Sequence, residues 1–165
     1  RIRQSYLRRA EEGVERALEI TAPTEWPDAH RARIAELMRL RSGLLGVNPD
    51  DAEARRTLMQ RNFSLFGAPA VVWLCMDRAL SPWSLFDLGS FAQSLMLAAT
   101  EQGLDSVPAV MLAAYPAIIR AELGVPDSLA IAIGIALGRA EREDPMNKLR
   151  SPRRSLAEIL TVRGL

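Results

Sequence analysis

The chain has 165 residues, the size of one ordinary domain. Its 48% hydrophobic and 25% charged residues exclude a disordered tail, a collagen-like chain and a disulfide scaffold. Lys+Arg 21 against Asp+Glu 20 leaves a net charge of +1, far from the basic excess of a dedicated nucleic-acid binder, and the single cysteine, Cys75, and single histidine, His30, exclude an internal disulfide and a four-ligand Cys/His zinc site within one chain.

Arg3 to Glu19 patterns as an amphipathic helix, with Tyr6, Ala10, Val14, Ala17 and Leu18 at helical spacing. Pro23 and Pro27 break it. Asp28 is the expected N-cap of a second helix through Arg41, ended by Gly43 and Gly46. Asn48-Pro49-Asp50-Asp51 is a start signal, with a cap, a proline in the first turn and acid at the positive end of the dipole, for a third helix to about Asn62. Ala68 to Met76 is short, apolar and partly β-branched and reads as a buried strand. Ser81 to Ser84 is a loop, and Leu85 to Gln102 a helix so apolar that it belongs in a core or a subunit interface.

Gly103 to Pro108 is strand-like, and Met111 to Leu123 is helical with a kink or break at Pro116. Gly124 to Asp127 closes that helix, and Leu129 to Leu137 is a second buried strand. From Gly138 the chain is polar and arginine-rich, ending in a β-like stretch, Ile159 to Val162. Helices first, then strands separated by helices, is an α+β or α/β pattern without an internal repeat. Arg1 to Glu19 is too charged for a secretory leader, and no run reaches the roughly 18–20 apolar residues of a membrane helix, so a cytoplasmic protein without a membrane partner is expected. Because the chain opens on Arg1 in helix-like sequence, residue 1 is not expected to be the biological start.

Reactive side chains are scarce. His30 lies on an exposed helix and Cys75 in an apolar strand, where burial raises a thiol's pKa. The acid pairs Glu11/Glu12 and Asp50/Asp51 suit helix-dipole and solubility roles, and neither GxGxxG nor GxxxxGK[ST] occurs. An enzyme of this composition needs a cofactor that carries the reaction. Two segments could hold one. Asp105 to Met111 leads from an extended stretch into a helix start, where the N–H groups of residues 109 to 111 can face a ligand. Asn147 to Arg154 carries arginine forks suited to a phosphate. Without a ligand, these are an ordinary strand-to-helix connection and a solvated basic tail.

At these two segments the sequence resembles the FMN-dependent nitroreductase family, particularly its nitrobenzoate-reductase-like members. Four stretches carry the resemblance, in order: Arg61-Asn62-Phe63 through Gly67-Ala68-Pro69-Ala70; Phe86-Asp87-Leu88-Gly89 through Gln93 to Ala99; Gly103 to Pro108 followed by Leu123 to Asp127; and Gly134 to Gly138 followed by Asn147 through Arg150 to Arg153. The resemblance implies an α+β nitroreductase-like fold, with a central, mostly antiparallel sheet flanked by helices, in an interlocked homodimer with flavin at the subunit interface. Residues 1–165 would form a single such domain lacking its N-terminal flavin-binding segment, since the family's Arg-Arg-Ser and Pro-Ser…Asn…Gln-Pro-Trp motifs are not found at its N-terminal end; Arg153-Arg154-Ser155 mimics the first but lies at the wrong end.

The resemblance further implies that Pro108, Ala109, Val110 and Met111 lie along the isoalloxazine edge, with the Val110 N–H near N5. It brings Arg150 and Arg153 to the FMN phosphate, with Lys148 a lesser candidate, and Trp83 or Phe86 to the substrate pocket or the core. The implied activity is an FMN-dependent oxidoreductase passing electrons from NADH or NADPH to a small-molecule acceptor, a nitroaromatic or quinone, with no catalytic side chain, metal or nucleic acid. The alternatives are another flavin reaction on the same fold (dehydrogenation or reductive dehalogenation), a non-catalytic flavin- or ligand-binding dimer, and an anion- or nucleic-acid-binding helical module using the arginine-rich tail, against which the net charge speaks.

Overall fold

A computed structural model of the chain describes every residue except Pro49 and Leu165. Among the described residues, six α-helices and three strands follow in chain order: α1 (Ile2–Glu11), α2 (Asp28–Leu45), α3 (Ala52–Phe63), β1 (Ala70–Asp77), α4 (Trp83–Glu101), β2 (Asp105–Ala109), α5 (Pro116–Leu123), β3 (Leu129–Gly138) and α6 (Leu156–Ile159). The chain divides into two compact units, Arg1–Glu25 with Asp50–Ala140, and Trp26–Pro49 with Glu141–Leu165.

The first unit is built on a three-stranded sheet of order β1-β3-β2, antiparallel throughout. β1 and β2 therefore run the same way on either side of β3, and such a pair needs a long crossover. α4 supplies it and packs on both strands. β3 pairs with β1 along its length, with a bulge at Ala132, but with β2 only from Gly134 to Gly138. Central β3 is accordingly well buried, whereas β1, at the edge, is mostly half-buried rather than the fully buried strand predicted. Pro108 sits in edge strand β2, where a missing N–H is tolerated. Behind the sheet lies the core: Tyr6, Leu112, Ile119 and Ile131 are fully buried. Tyr115 meets Tyr6 edge-on at 5.1 Å between ring centroids and Phe63 at 5.7 Å, tying α1 and α3 to the chain entering α5.

Several boundaries differ from the predictions, each for a local reason. The first helix stops at Glu11 instead of Glu19, because Gly13 takes φ +68° and Val14 N–H closes back on Arg9 O at 3.0 Å. From there the chain runs beside α5, with Ala17 N–H donating to Ala114 O at 3.0 Å. The third helix is capped by Asp51, whose carboxylate accepts from Glu53 N–H at 2.9 Å and Ala54 N–H at 3.4 Å; the predicted first-turn role of Pro49 lies outside the described residues. Trp83 belongs to α4, not to the preceding loop. α4 does not lie in the core of the single chain, one of the two places expected for it: Trp83 is 82% and Phe86 73% exposed, and only Ala99 is buried. Pro116 starts α5, its missing N–H costing nothing at a first turn.

The second unit contains α2, a short 3-10 turn over Pro145–Lys148 that packs on it, and α6. α2 begins at Asp28, which is its first residue rather than its cap and binds Arg31; Gly43 lies inside the helix, and left-handed Gly46 ends it. The predicted β-like stretch Ile159–Val162 is not a strand. Ile159 closes α6, whose capping box joins Ser155 and Glu158.

Candidate functional site

β2 delivers the chain into a 3-10 turn over Val110–Ala113, and this junction holds four of the predicted site residues. Pro108 and Ala109 end the strand opposite Ile135 and Gly134. Val110 and Met111 open the turn, where the first N–H groups have no acceptor within it. Val110 is 50% exposed and Met111 half-buried, while Leu112 is fully buried. The turn thus opens at a half-exposed Val110 and anchors itself through its third residue.

The anchor is unusually complete. The Leu112 carbonyl accepts from Tyr6 Oη at 2.7 Å and from Trp73 Nε1 at 2.8 Å. The Tyr6 hydroxyl in turn accepts the Tyr115 N–H at 3.4 Å, and the Ala114 N–H closes on Met111 O at 3.2 Å. Burial pushes the Tyr6 phenol well above its ordinary pKa, so it remains a donor. Room for the anchor comes from Gly134: a Cβ there would stand 2.4 Å from Leu112 Cβ and 3.2 Å from Trp73 Nε1. Tyr6, Trp73 and Gly134 escaped the site prediction, and a glycine inside so apolar a strand is the signal that marks such an approach.

A second polar constellation, also absent from the prediction, centres on Glu19. Both its carboxylate oxygens take Arg120 Nη2 at 2.8 Å, Oε2 also accepts the Ile131 N–H at 2.7 Å, and Arg78 binds Oε1. Ile131 lies on the part of β3 beyond the reach of β2, so Glu19 takes a strand N–H in place of a neighbouring strand. Burial alone would raise its pKa, but the hydrogen bonds from Arg120, Ile131 and Arg78 outweigh that and hold it below the usual carboxylate range. Cys75 is half-buried, and burial pushes its thiol up, as expected of a structural cysteine.

Arg150 and Arg153 lie in the second unit. Arg150 donates to the Asn147 and Leu149 carbonyls at 2.9 and 3.0 Å, and Arg153 to the Ser151 carbonyl at 3.1 Å and the Ser151 hydroxyl. Both are exposed, and among the described residues neither meets a carboxylate. Lys148 and Arg154, by contrast, pair with Glu143 and Glu158 at 3.3 and 3.4 Å. The two predicted arginines are therefore the cations of this segment whose charge no carboxylate offsets. His30 is exposed and stacks on Trp26. Among the described residues, no group of three or more His, Cys, Asp or Glu side chains is placed to hold a metal, and no helix is long and apolar enough to cross a membrane.

Comparison with known proteins agrees with this architecture. The family described as "Nitroreductase family" matches residues 10–139. The chain is 34% identical over 131 residues to 4-nitrobenzoate reductase of Pseudomonas putida, covering 79% of this chain and 58% of that protein. It is 34% identical over 117 residues to nitrobenzene nitroreductase of Ectopseudomonas oleovorans, covering 71% and 52%. The chain thus spans little more than half the length of these curated relatives. Among solved structures, the FMN and NADPH-dependent nitroreductase NfnB from Sphigopyxis sp. strain HMH superimposes with a TM-score of 0.91 at 32% identity, over 99% of this chain and 74% of that one. The FMN-dependent NfnB from Mycobacterium smegmatis, solved with NADPH, gives 0.91 at 25% identity, over 99% and 73%. With its antiparallel sheet, its flanking helices and this match over most of its length, the chain belongs to the nitroreductase family.

Proposed function

We propose that this chain forms part of an FMN-dependent oxidoreductase that takes electrons from NADH or NADPH and passes them to a nitroaromatic or quinone-type acceptor. The observation that carries the reading is the anchored turn after β2 in a nitroreductase-family chain, with Val110 half-exposed and the first N–H groups of the turn lacking an acceptor within it. The relatives named as reductases of nitroaromatics, and the NfnB proteins described as FMN-dependent and solved with or dependent on NADPH, support it.

The residues present fit the flavin. Pro108, Ala109, Val110 and Met111 bring no carboxylate or bulky polar group, so a ring edge meets main chain and small apolar surface. Arg150 and Arg153 have guanidinium groups that meet no carboxylate among the described residues and are suited to a phosphate. FMN, when bound, supplies the hydride and electron transfer that the side chains of this chain do not. The chain's own part is placement: in the first unit the turn would orient a ring edge through Val110 and Met111, and in the second unit Arg150 and Arg153 would hold a phosphate by charge. No side chain here is asked to act as nucleophile or proton donor.

We further read residues 1–165 as one nitroreductase-like domain of a cytoplasmic homodimer. The exposed apolar surface of α4, with Phe91 57% and Leu97 61% exposed, supports the second subunit. Sedimentation of the protein at micromolar concentration tests this part, and a monomer would contradict it. The activity is tested by NADPH oxidation with 4-nitrobenzoate and with a quinone as acceptors. Turnover well above that of free reduced flavin is expected; a rate equal to free flavin would overturn the assignment.

A further inference from the structure

We propose that Tyr6 and Trp73 are positioning residues, which set the main chain of residues 109–111 against the flavin by holding the far side of the same turn. The inference rests on the function proposed above. A single buried carbonyl, Leu112 O, receives both donors, one from α1 and one from β1, so both its lone pairs are used. The Tyr6 hydroxyl donates to residue 112 and accepts from the N–H of residue 115, spanning the exit of the turn like a staple. Two elements remote in sequence from the turn therefore fix its position, at separations of 106 and 39 residues from Leu112.

Gly134 completes the arrangement. It faces Trp73 across the β1–β3 pair and Ala109 across the β2–β3 pair. A position without a side chain thus lies level with both the indole donor and the last residue before the turn. Because the turn is seated on this gap, any loosening of Leu112 is transmitted directly to the peptides of Val110 and Met111. Tyr6 and Trp73 do not themselves need to reach the flavin, and what they control is the height and tilt of the groups that do.

Two conservative variants test this, Trp73→Phe and Tyr6→Phe, each keeping a ring and losing one donor. Tyr115→Phe is the control, because it removes a buried-side hydroxyl bonded to Val14 O at 3.3 Å and leaves the Leu112 carbonyl untouched. The first readout is amide hydrogen exchange of the flavin-free protein at Ala114, whose N–H closes the turn. The second is the FMN dissociation constant and the visible band shape of bound FMN. Losing one hydrogen bond predicts about fivefold faster exchange at Ala114 and about fivefold weaker FMN binding with an altered band, in both test variants and not in the control. Unchanged exchange in both test variants would overturn the anchor itself. Faster exchange with FMN affinity and band at the wild-type level would overturn its role toward flavin. If the wild-type protein takes up no FMN at all, the proposed function falls and this role falls with it, while the exchange data still report whether the anchor exists.

Discussion

Replacing Gly134 by alanine tests the packing argument at its tightest point. The added Cβ would stand 2.4 Å from Leu112 Cβ, an atom fixed rigidly to its backbone. Ordinary carbon–carbon contact needs about 3.5 Å or more, so the turn must retreat by about 1 Å. It cannot do so freely, because Tyr6 and Trp73 hold the Leu112 carbonyl from two sides and Trp73 Nε1 would itself lie 3.2 Å from the new methyl. Overpacking of this kind costs about 1–3 kcal/mol. For a chain of this size that lowers Tm by roughly 2–4 °C per kcal/mol. Thermal unfolding followed by circular dichroism measures the shift, and amide exchange at Ala114 locates it. A Gly134→Ala protein with the Tm and the Ala114 exchange of wild type would refute the argument that the turn is held against the sheet without slack.

Glu19→Gln should destabilise the protein by about 2 kcal/mol at neutral pH, since it removes the charge from a carboxylate held by Arg120 and a strand N–H. Because the folded pKa of Glu19 is depressed, its stabilisation is fully present above the unfolded value of about 4.3 and is lost as pH falls through the folded value. Urea unfolding between neutral pH and pH 3 should therefore show a shallower acid loss in the variant, and parallel curves would contradict this. Cys75, its thiol raised by burial, should react with iodoacetamide at pH 8 more slowly than free cysteine; reaction at the free rate would show an open site. Arg153→Gln and Arg150→Gln should each weaken FMN binding while leaving Tm within about 1 °C, because neither guanidinium is paired to a carboxylate among the described residues. Titration of apo protein with FMN measures this, and unchanged affinity in both would remove them from the phosphate site.

Much of the framework was legible because it is local. The apolar run of β3 and the glycine ending α2 are each written within a few residues, whereas the start signal of α3 was read too early, its cap being Asp51 and not Asn48, and Pro116 was read as a kink or break where it opens α5. α6 was equally legible in principle. Ser155-Leu156-Ala157-Glu158 spells a capping box, and that local signal overrides the β-propensity of the residues after it. The segment of the candidate site was legible too, since an extended stretch ending at a helical turn is visible at Asp105–Met111. What holds it was not. The Tyr6–Leu112 bond spans 106 positions and the Glu19–Arg120 pair 101, and no periodicity within either partner's segment announces the other. Composition likewise gave the apolar character of α4 but not the choice between core and subunit interface, because burial depends on what packs against a helix and not on the helix alone.

The central claim is that this chain serves flavin chemistry, and the most direct measurement is the visible absorption spectrum of the purified protein, loaded with FMN and then mixed with NADPH without oxygen. The account predicts flavin bands that remain with the protein on gel filtration and that bleach on adding NADPH, or NADH if the preference lies there. Bound bands that persist with both reductants would contradict the oxidoreductase reading. A protein that stays colourless after exposure to FMN would contradict the flavin site at Pro108–Met111 and the role given to Arg150 and Arg153.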